Sequence, residues 1–200
     1  RRLAALLQMP LEPAAERWHA RQKLQLGVAD LPACDEPPRV ALALGGVRIE
    51  RTYRHWPDVA QALCGAGHTR FALVGSDNGA AMAAAVKAAI GSADVLDLVA
   101  TTDLHGSQQA MARCALVVCA DGGLLHLACT TSRSILALFD SSIDPAWRLP
   151  IDATVTALRA DVRDVSAIAP ATVAAAAMAM LGRPHAGGGN SQQDDVVLLR

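Results

Sequence analysis

Four clusters of glycine and polar residues stand directly after apolar runs, and these are the places where the sequence could do chemistry. They are Gly45-Gly46-Val47-Arg48, Gly75-Ser76-Asp77-Asn78, Asp121-Gly122-Gly123 followed by His126, and Asp140-Ser141-Ser142-Ile143-Asp144-Pro145. Glycines let backbone N–H groups approach a ligand without a Cβ in the way. A helix starting at Gly123 would add amides that lack intrahelical partners, which favours an anion. His126 could donate to the same anion. The plainer alternative is a strand-to-helix turn, with Asp121 as the helix cap and His126 on the surface. A capping Asp121 would compete for the same N–H donors, which counts against the anion site.

Other chemistries are argued against by spacing. Gly65-Ala66-Gly67-His68 precedes a strand pattern and does not follow one, so it is no dinucleotide fingerprint. Gly75 to Gly79 lacks the Lys-Ser/Thr of a phosphate-binding P-loop. Neither a GxSxG elbow nor an HExxH zinc motif occurs. Asp152, Asp161 and Asp164 flank the last strand pattern and read as solvated carboxylates. The five cysteines (Cys34, Cys64, Cys114, Cys119 and Cys129) include no CxxC pair and have no histidine at ligand spacing. They read as reduced, intracellular thiols acting as small buried hydrophobes, with no metal site.

These clusters need elements to hold them. Continuous apolar runs at Val40–Leu44, Phe71–Val74, Val95–Val99, Leu116–Cys119, Ile135–Phe139 and Thr154–Leu158 suit strands buried on both faces. Helical patterns lie between and after them at Pro57–Ala66, Gly79–Ile90, Ser107–Cys114, Gly123–Thr131 and Val165–Leu181. Regular alternation of this kind predicts a parallel sheet with right-handed crossovers. The expected fold is α/β, a Rossmann-like doubly wound parallel sheet. Ligands of such sheets sit outside the carboxyl ends of the strands, where all four clusters fall.

Residues 1–38, broken by the Leu31–Pro38 stretch, read as a partly helical interdomain lead-in. Residues 39–182 read as the domain, and 183–200, with their Gly-Gly-Gly and Asp-Asp runs, as a flexible tail. The short apolar run Val196–Leu199 could begin a further element. The chain starts at Arg1, which is what a fragment of a longer protein would show.

Composition sets outer bounds. The chain has 200 residues, 18 basic and 19 acidic, with a formal net charge of −1. Charge this close to zero argues against a nucleic-acid partner. An apolar fraction of 52% is too high for disorder. No run is long enough for a membrane span and no leader pattern is seen, so a cytoplasmic protein is expected. Arginine far outnumbers lysine, as GC-rich bacterial coding sequences often show.

Taken in order, the motifs resemble a known family. Ala120-Asp121-Gly122-Gly123-Leu124-Leu125-His126-Leu127-Ala128, then Ile135–Phe139, then Asp144-Pro145-Ala146-Trp147 and Pro150 resemble the C-terminal half of glycosyltransferase family 9. This is the family of the ADP-heptose:lipopolysaccharide heptosyltransferases. Upstream, Arg54-His55-Trp56-Pro57 resembles its Lys-Arg-Trp-Pro, Phe71–Ser76 its Val-Gly-Ser strand, and Leu98–Leu116 its linker. The match runs in order and spacing over about residues 39–150.

The resemblance implies the C-terminal domain of a GT-B type enzyme. This is the half that binds the nucleotide-sugar donor, ADP-heptose being favoured. Transfer to a lipopolysaccharide-type or protein acceptor would invert the anomeric centre, without metal or cofactor. The catalytic base would come from a missing N-terminal domain, so no catalytic residue is assigned here and the chain alone is expected to be inactive. The full-length enzyme would make peripheral contact with the inner membrane. Asp121, Gly122, Gly123 and His126 fall on the family's donor-binding segment, and Arg54 on a lysine that contacts donor phosphates. Gly46 falls in the turn after the first strand, and Asp77 lies near an acidic residue that holds the ribose. Trp56 reads as core.

Some positions depart from the family pattern. Its threonine is Gly122 here, its proline Leu124, its glycine after the fifth strand Asp140, and the turn after the first strand lacks its Ser or Thr. These departures leave open another nucleotide sugar, or a degenerate, non-catalytic nucleotide-sugar-binding or regulatory module.

Overall fold

A computed structural model describes residues 39–131, 133–150 and 154–182, and the backbone of 198–199. The strands are β1 (Val40–Ala43), β2 (Arg70–Val74), β3 (Asp94–Asp97), β4 (Leu116–Ala120), β5 (Ser134–Phe139) and β6 (Val155–Arg159). The helices are α1 (Trp56–Gly65), α2 (Ala80–Ile90), α3 (Leu104–Arg113), α4 (Gly123–Ala128) and α5 (Pro170–Leu181). Every described pairing is parallel, in the order β3-β2-β1-β4-β5-β6. Leu198–Leu199 pairs beyond β6 as a two-residue β7. This is the Rossmann-like doubly wound sheet that the alternation predicts, and β1 and β4 flank the point where strand order reverses.

The two faces of the sheet differ because side chains alternate along each strand. Val40, Leu42, Phe71, Leu73, Leu116, Val118, Leu136 and Leu138 face α1, α2 and α5, meeting Trp56, Leu63, Val86 and Val173. Ala41, Ala43, Ala72, Cys119, Ala137 and Ala157 face the other way, toward Met111 of α3 and Leu125 of α4. Burying each large side chain contributes about 1.5–3 kcal/mol, so leucine and valine carry a core with few rings. Trp56 is 1% exposed and packs edge-on to Tyr53, as a core residue should. Cys114 and Cys119 are fully buried, and burial pushes the Cys119 thiol up.

Several element boundaries differ from the sequence expectation. The stretch from Val165 is not one helix: Val165–Ala167 is a separate 3-10 turn, and α5 starts at Pro170. Proline lacks an N–H and clashes inside a helix, so it belongs in the first turn. Helix α3 starts at Leu104, earlier than expected, because Asp103 caps it by accepting from Gly106 N at 2.8 Å. Helix α4 has only six residues. Thr130 and Thr131 follow it and turn their hydroxyls back onto Leu127 O and Ala128 O. Strand β3 is exposed or half-buried throughout, as an edge strand, and is not buried on both faces. The lead-in over 1–38 and residues 183–197 of the tail lie outside the described residues. Among the described residues no helix is long and apolar enough to cross a membrane.

Candidate functional site

The loops after β1 and β4 meet at the switch point, where an open α/β sheet takes its ligand. After β1 the chain turns sharply at Gly45, whose φ is +89. A Cβ there would lie 2.4 Å from Asn78 Oδ1. Asn78, in the turn after β2, donates from Nδ2 to Gly46 O at 2.9 Å. The glycine pair thus lets two carboxyl-end loops approach closely. Gly46 is exposed, and so is Asp77 beside Asn78.

After β4 the backbone passes through Asp121, Gly122 and Gly123. Asp121 N donates to Leu138 O of β5 at 2.9 Å, which fixes the start of the turn. Gly122 and Gly123 are exposed, and a Cβ at either would meet nothing within 4 Å. His126 is exposed one turn later. Asp121 does not cap α4. Gly122 occupies the cap position with no side-chain hydrogen bond. The alternative in which Asp121 claims these amides is therefore corrected. At six residues α4 has only a small dipole, and what the turn presents to solvent is its exposed backbone.

The Asp121 carboxylate is instead part of a buried charge cluster. Arg51, in the 3-10 turn Ile49–Arg51 of the β1 loop, places Nη1 3.2 Å from Asp121 Oδ2 and Nε 3.6 Å from Asp140 Oδ2. Arg148 Nε is 3.8 Å from Asp121 Oδ1. The side chains of Asp121 and Asp140 are 3% and 1% exposed. Arg51 Nε and both carboxylate Oδ2 atoms make no hydrogen bond, so these contacts hold by charge and not by directed bonds. Asp140 also accepts from Ser142 N at 2.6 Å and from the Ser142 hydroxyl. Burial opposes its ionisation, but the Ser142 bonds and the charges of Arg51 and Arg163 outweigh this and hold its carboxyl below the usual range. Asp140 is thus committed to Arg51 and Ser142.

Arg54 is placed differently from the turn at Asp121. Its Nη2 lies 2.6 Å from Asp164 Oδ2, and its backbone N donates to Ser166 Oγ at 3.0 Å. Arg54 and Asp164 line an open recess of about 380 Å³ with Ile49, Glu50 and Arg163. Asp164 is therefore an ion-paired residue and not a free, solvated carboxylate. The hydrogen bonds from Arg54 and from Ser166 N hold its carboxyl below the usual range.

The structure thus sets Asp121, Gly122, Gly123 and His126 along the turn after β4 and the first turn of α4, ties Gly46 to the turn holding Asp77, and ties Arg54 to the turn after β6. Sequence reasoning missed Arg51 and Arg148. A signal for Arg51 did exist. Asp121 and Asp140 follow consecutive strand patterns, and two carboxylates brought together in burial are stabilised by a cation between them. Among the described residues no group of three or more His, Cys, Asp or Glu could hold a metal ion.

Comparison with known proteins places this geometry. A glycosyltransferase family 9 enzyme from Veillonella parvula DSM 2008 superposes with a TM-score of 0.62 at 18% identity, covering 74% of this chain and 47% of that one. Escherichia coli ADP-heptose lipopolysaccharide heptosyltransferase II gives 0.63 at 19%, covering 86% and 53%. Escherichia coli heptosyltransferase WaaC, solved with ADP-2-deoxy-2-fluoro heptose, gives 0.61 at 20%, covering 75% and 45%. The chain spans about half the length of these structures. No curated protein matches its sequence significantly. The profile of glycosyltransferase family 9 (heptosyltransferase) matches residues 6–168, most of the chain. With that match, and with the doubly wound fold of the GT-B glycosyltransferases, this chain belongs to glycosyltransferase family 9, the heptosyltransferase family.

Proposed function

We propose that this chain is the donor-binding half of a heptosyltransferase-like glycosyltransferase. Its donor would be a nucleoside-diphosphate sugar, with ADP-heptose favoured because solved relatives carry ADP and an ADP-heptose analogue. The acceptor would be a lipopolysaccharide-type glycan or a protein. The observation that carries the reading is the Gly122–Gly123 turn. It is exposed at the carboxyl edge of β4, and the nearest carboxylate is drawn off by Arg51.

The chemistry follows from charge development. Displacement at the anomeric carbon leaves a nucleoside diphosphate, and its oxygens gain negative charge as the glycosidic bond breaks. Preorganised backbone N–H groups stabilise that charge without reorganising. In this reading the amides of the Gly122–Gly123 turn hold the diphosphate, His126 donates to it, and Arg54 adds a planar, permanently charged fork. Asp77 accepts from the ribose, and Gly46 lines the crevice. The attacking hydroxyl comes from the opposite face, which gives inversion. Its base comes from a second domain, so the chain alone turns over no donor. No metal or cofactor enters the mechanism. The full enzyme would act in the cytoplasm, peripherally at the inner membrane.

A second reading has one observation in its favour. Arg51 and Arg54 are each already held by carboxylates, which lowers the charge on offer to a phosphate. A degenerate, non-catalytic nucleotide-sugar-binding module would look the same. Calorimetric titration of the chain with ADP, UDP, GDP and NAD separates the readings. Selective ADP binding supports the donor half. Binding of another nucleoside diphosphate keeps the enzyme class and changes the donor. No binding at millimolar nucleotide favours the degenerate module, or a site that the other half of the enzyme completes.

A further inference from the structure

We propose that Arg51 is a positioning residue of the donor crevice: it holds the Asp121 carboxylate against the β1 loop and so keeps it off the Gly122–Gly123 turn. The inference rests on the donor-site reading for its consequence and on geometry for its substance.

The geometric argument is a contrast within this one chain. Aspartate at the head of a turn ordinarily accepts from a backbone N–H two or three residues on. Asp103 accepts from Gly106 N at 2.8 Å, and Asp140 from Ser142 N at 2.6 Å. Asp144 accepts from Ala146 N at 3.0 Å, and Asp164 from Ser166 N at 2.9 Å. Asp121 heads the turn into α4 and makes no such cap. Its backbone is pinned by the bond from its N–H to Leu138 O, so only the side chain has a choice of partner. That side chain is turned to Arg51, 3.2 Å away, and to Arg148, 3.8 Å away.

Asp140 completes the device. Its carboxylate is fixed by Ser142 and faces Arg51 Nε at 3.6 Å, so it anchors the guanidinium that holds Asp121. Arg51 from the β1 loop, the nearer of the two cations facing Asp121, therefore sets which partner that carboxylate takes. Without Arg51, the local preference returns: Asp121 swings onto the Gly123 or Leu124 amide, where a donor phosphate would otherwise bind.

The test uses the ¹⁵N-labelled chain and compares the Gly123 and Leu124 amide resonances at neutral pH with and without the Asp121 carboxylate. Arg51→Ala alone leaves Asp140 buried without its cation and risks unfolding. Arg51→Ala/Asp140→Gly removes both charges, and Arg51→Lys keeps the charge without the fork. In the wild type these amides stay insensitive to Asp121. In the folded double variant one of them lies downfield of its wild-type position, and ADP binding weakens by about tenfold or more. Arg51→Lys gives a smaller shift. Adding Asp121→Ala to the double variant abolishes the downfield shift, a reversal that a purely structural Arg51 would not allow. Insensitive amides in folded Arg51 variants overturn the positioning role. Absence of ADP binding by the wild type counts against the donor reading instead, so the two failures are distinct.

Discussion

Arg54 Nη2 lies 2.6 Å from Asp164 Oδ2, so the cation expected to meet the donor phosphate is held by the turn after β6. Both side chains are more than a third exposed, which caps the pair at about 0.2–1 kcal/mol. A phosphate that recruits Arg54 must outbid Asp164 by that amount. Asp164→Asn should therefore raise ADP affinity by up to about fivefold. Arg54→Ala should lower it about ten- to a hundredfold, the worth of a hydrogen bond to a charged group. Calorimetry on both variants checks this, and equal affinities in all three proteins would remove Arg54 from the site.

His126 is exposed one turn beyond Gly122, so its side chain contributes little to packing. His126→Ala should leave the melting temperature unchanged while weakening nucleotide binding about tenfold. Paired thermal melts and titrations distinguish the two effects.

The glycines of the two loops should respond in opposite ways. Position 122 has extended backbone and open space for a Cβ, so Gly122→Thr should change stability by no more than about 0.5 kcal/mol. The added hydroxyl restores the family's residue and should tighten ADP binding by up to about tenfold. Gly45→Ala meets both a positive φ and Asn78 Oδ1, and should cost about 1–3 kcal/mol. Urea unfolding of the two variants gives the comparison directly.

The buried cluster makes stability depend on pH. Because the Asp140 carboxyl is held below its ordinary range, the stability it contributes is present above that range. It is lost as pH falls through the lowered folded value. Asp140→Asn should be less stable than wild type at pH 7 by about 1–3 kcal/mol, with the difference closing in acid. Unfolding free energies measured across the acid range would show the two curves converging. A constant offset would mean that the effect is steric.

By itself the sequence determined the alternation of strands and helices, the parallel sheet and the loops that carry glycine. The reason is local: strands buried on both faces must read as apolar runs, and Pro57 and Pro170 can stand only in the first turn of a helix. Strand ends and short helices were less legible, because hydroxyl and carboxylate caps such as Thr130 and Asp103 trim or extend a helix without changing its periodicity. The charge partners were not legible locally at all. Asp140 read only as a departure from the family's glycine, and Asp164 as a solvated carboxylate. Only the strand order, which sets β1 beside β4 and β4 beside β5, brings Arg51 to Asp121 and Asp140 and decides which loops share a crevice. An ion pair between residues far apart in the chain leaves no periodic trace, because its energy depends on distance in space and not on spacing in sequence.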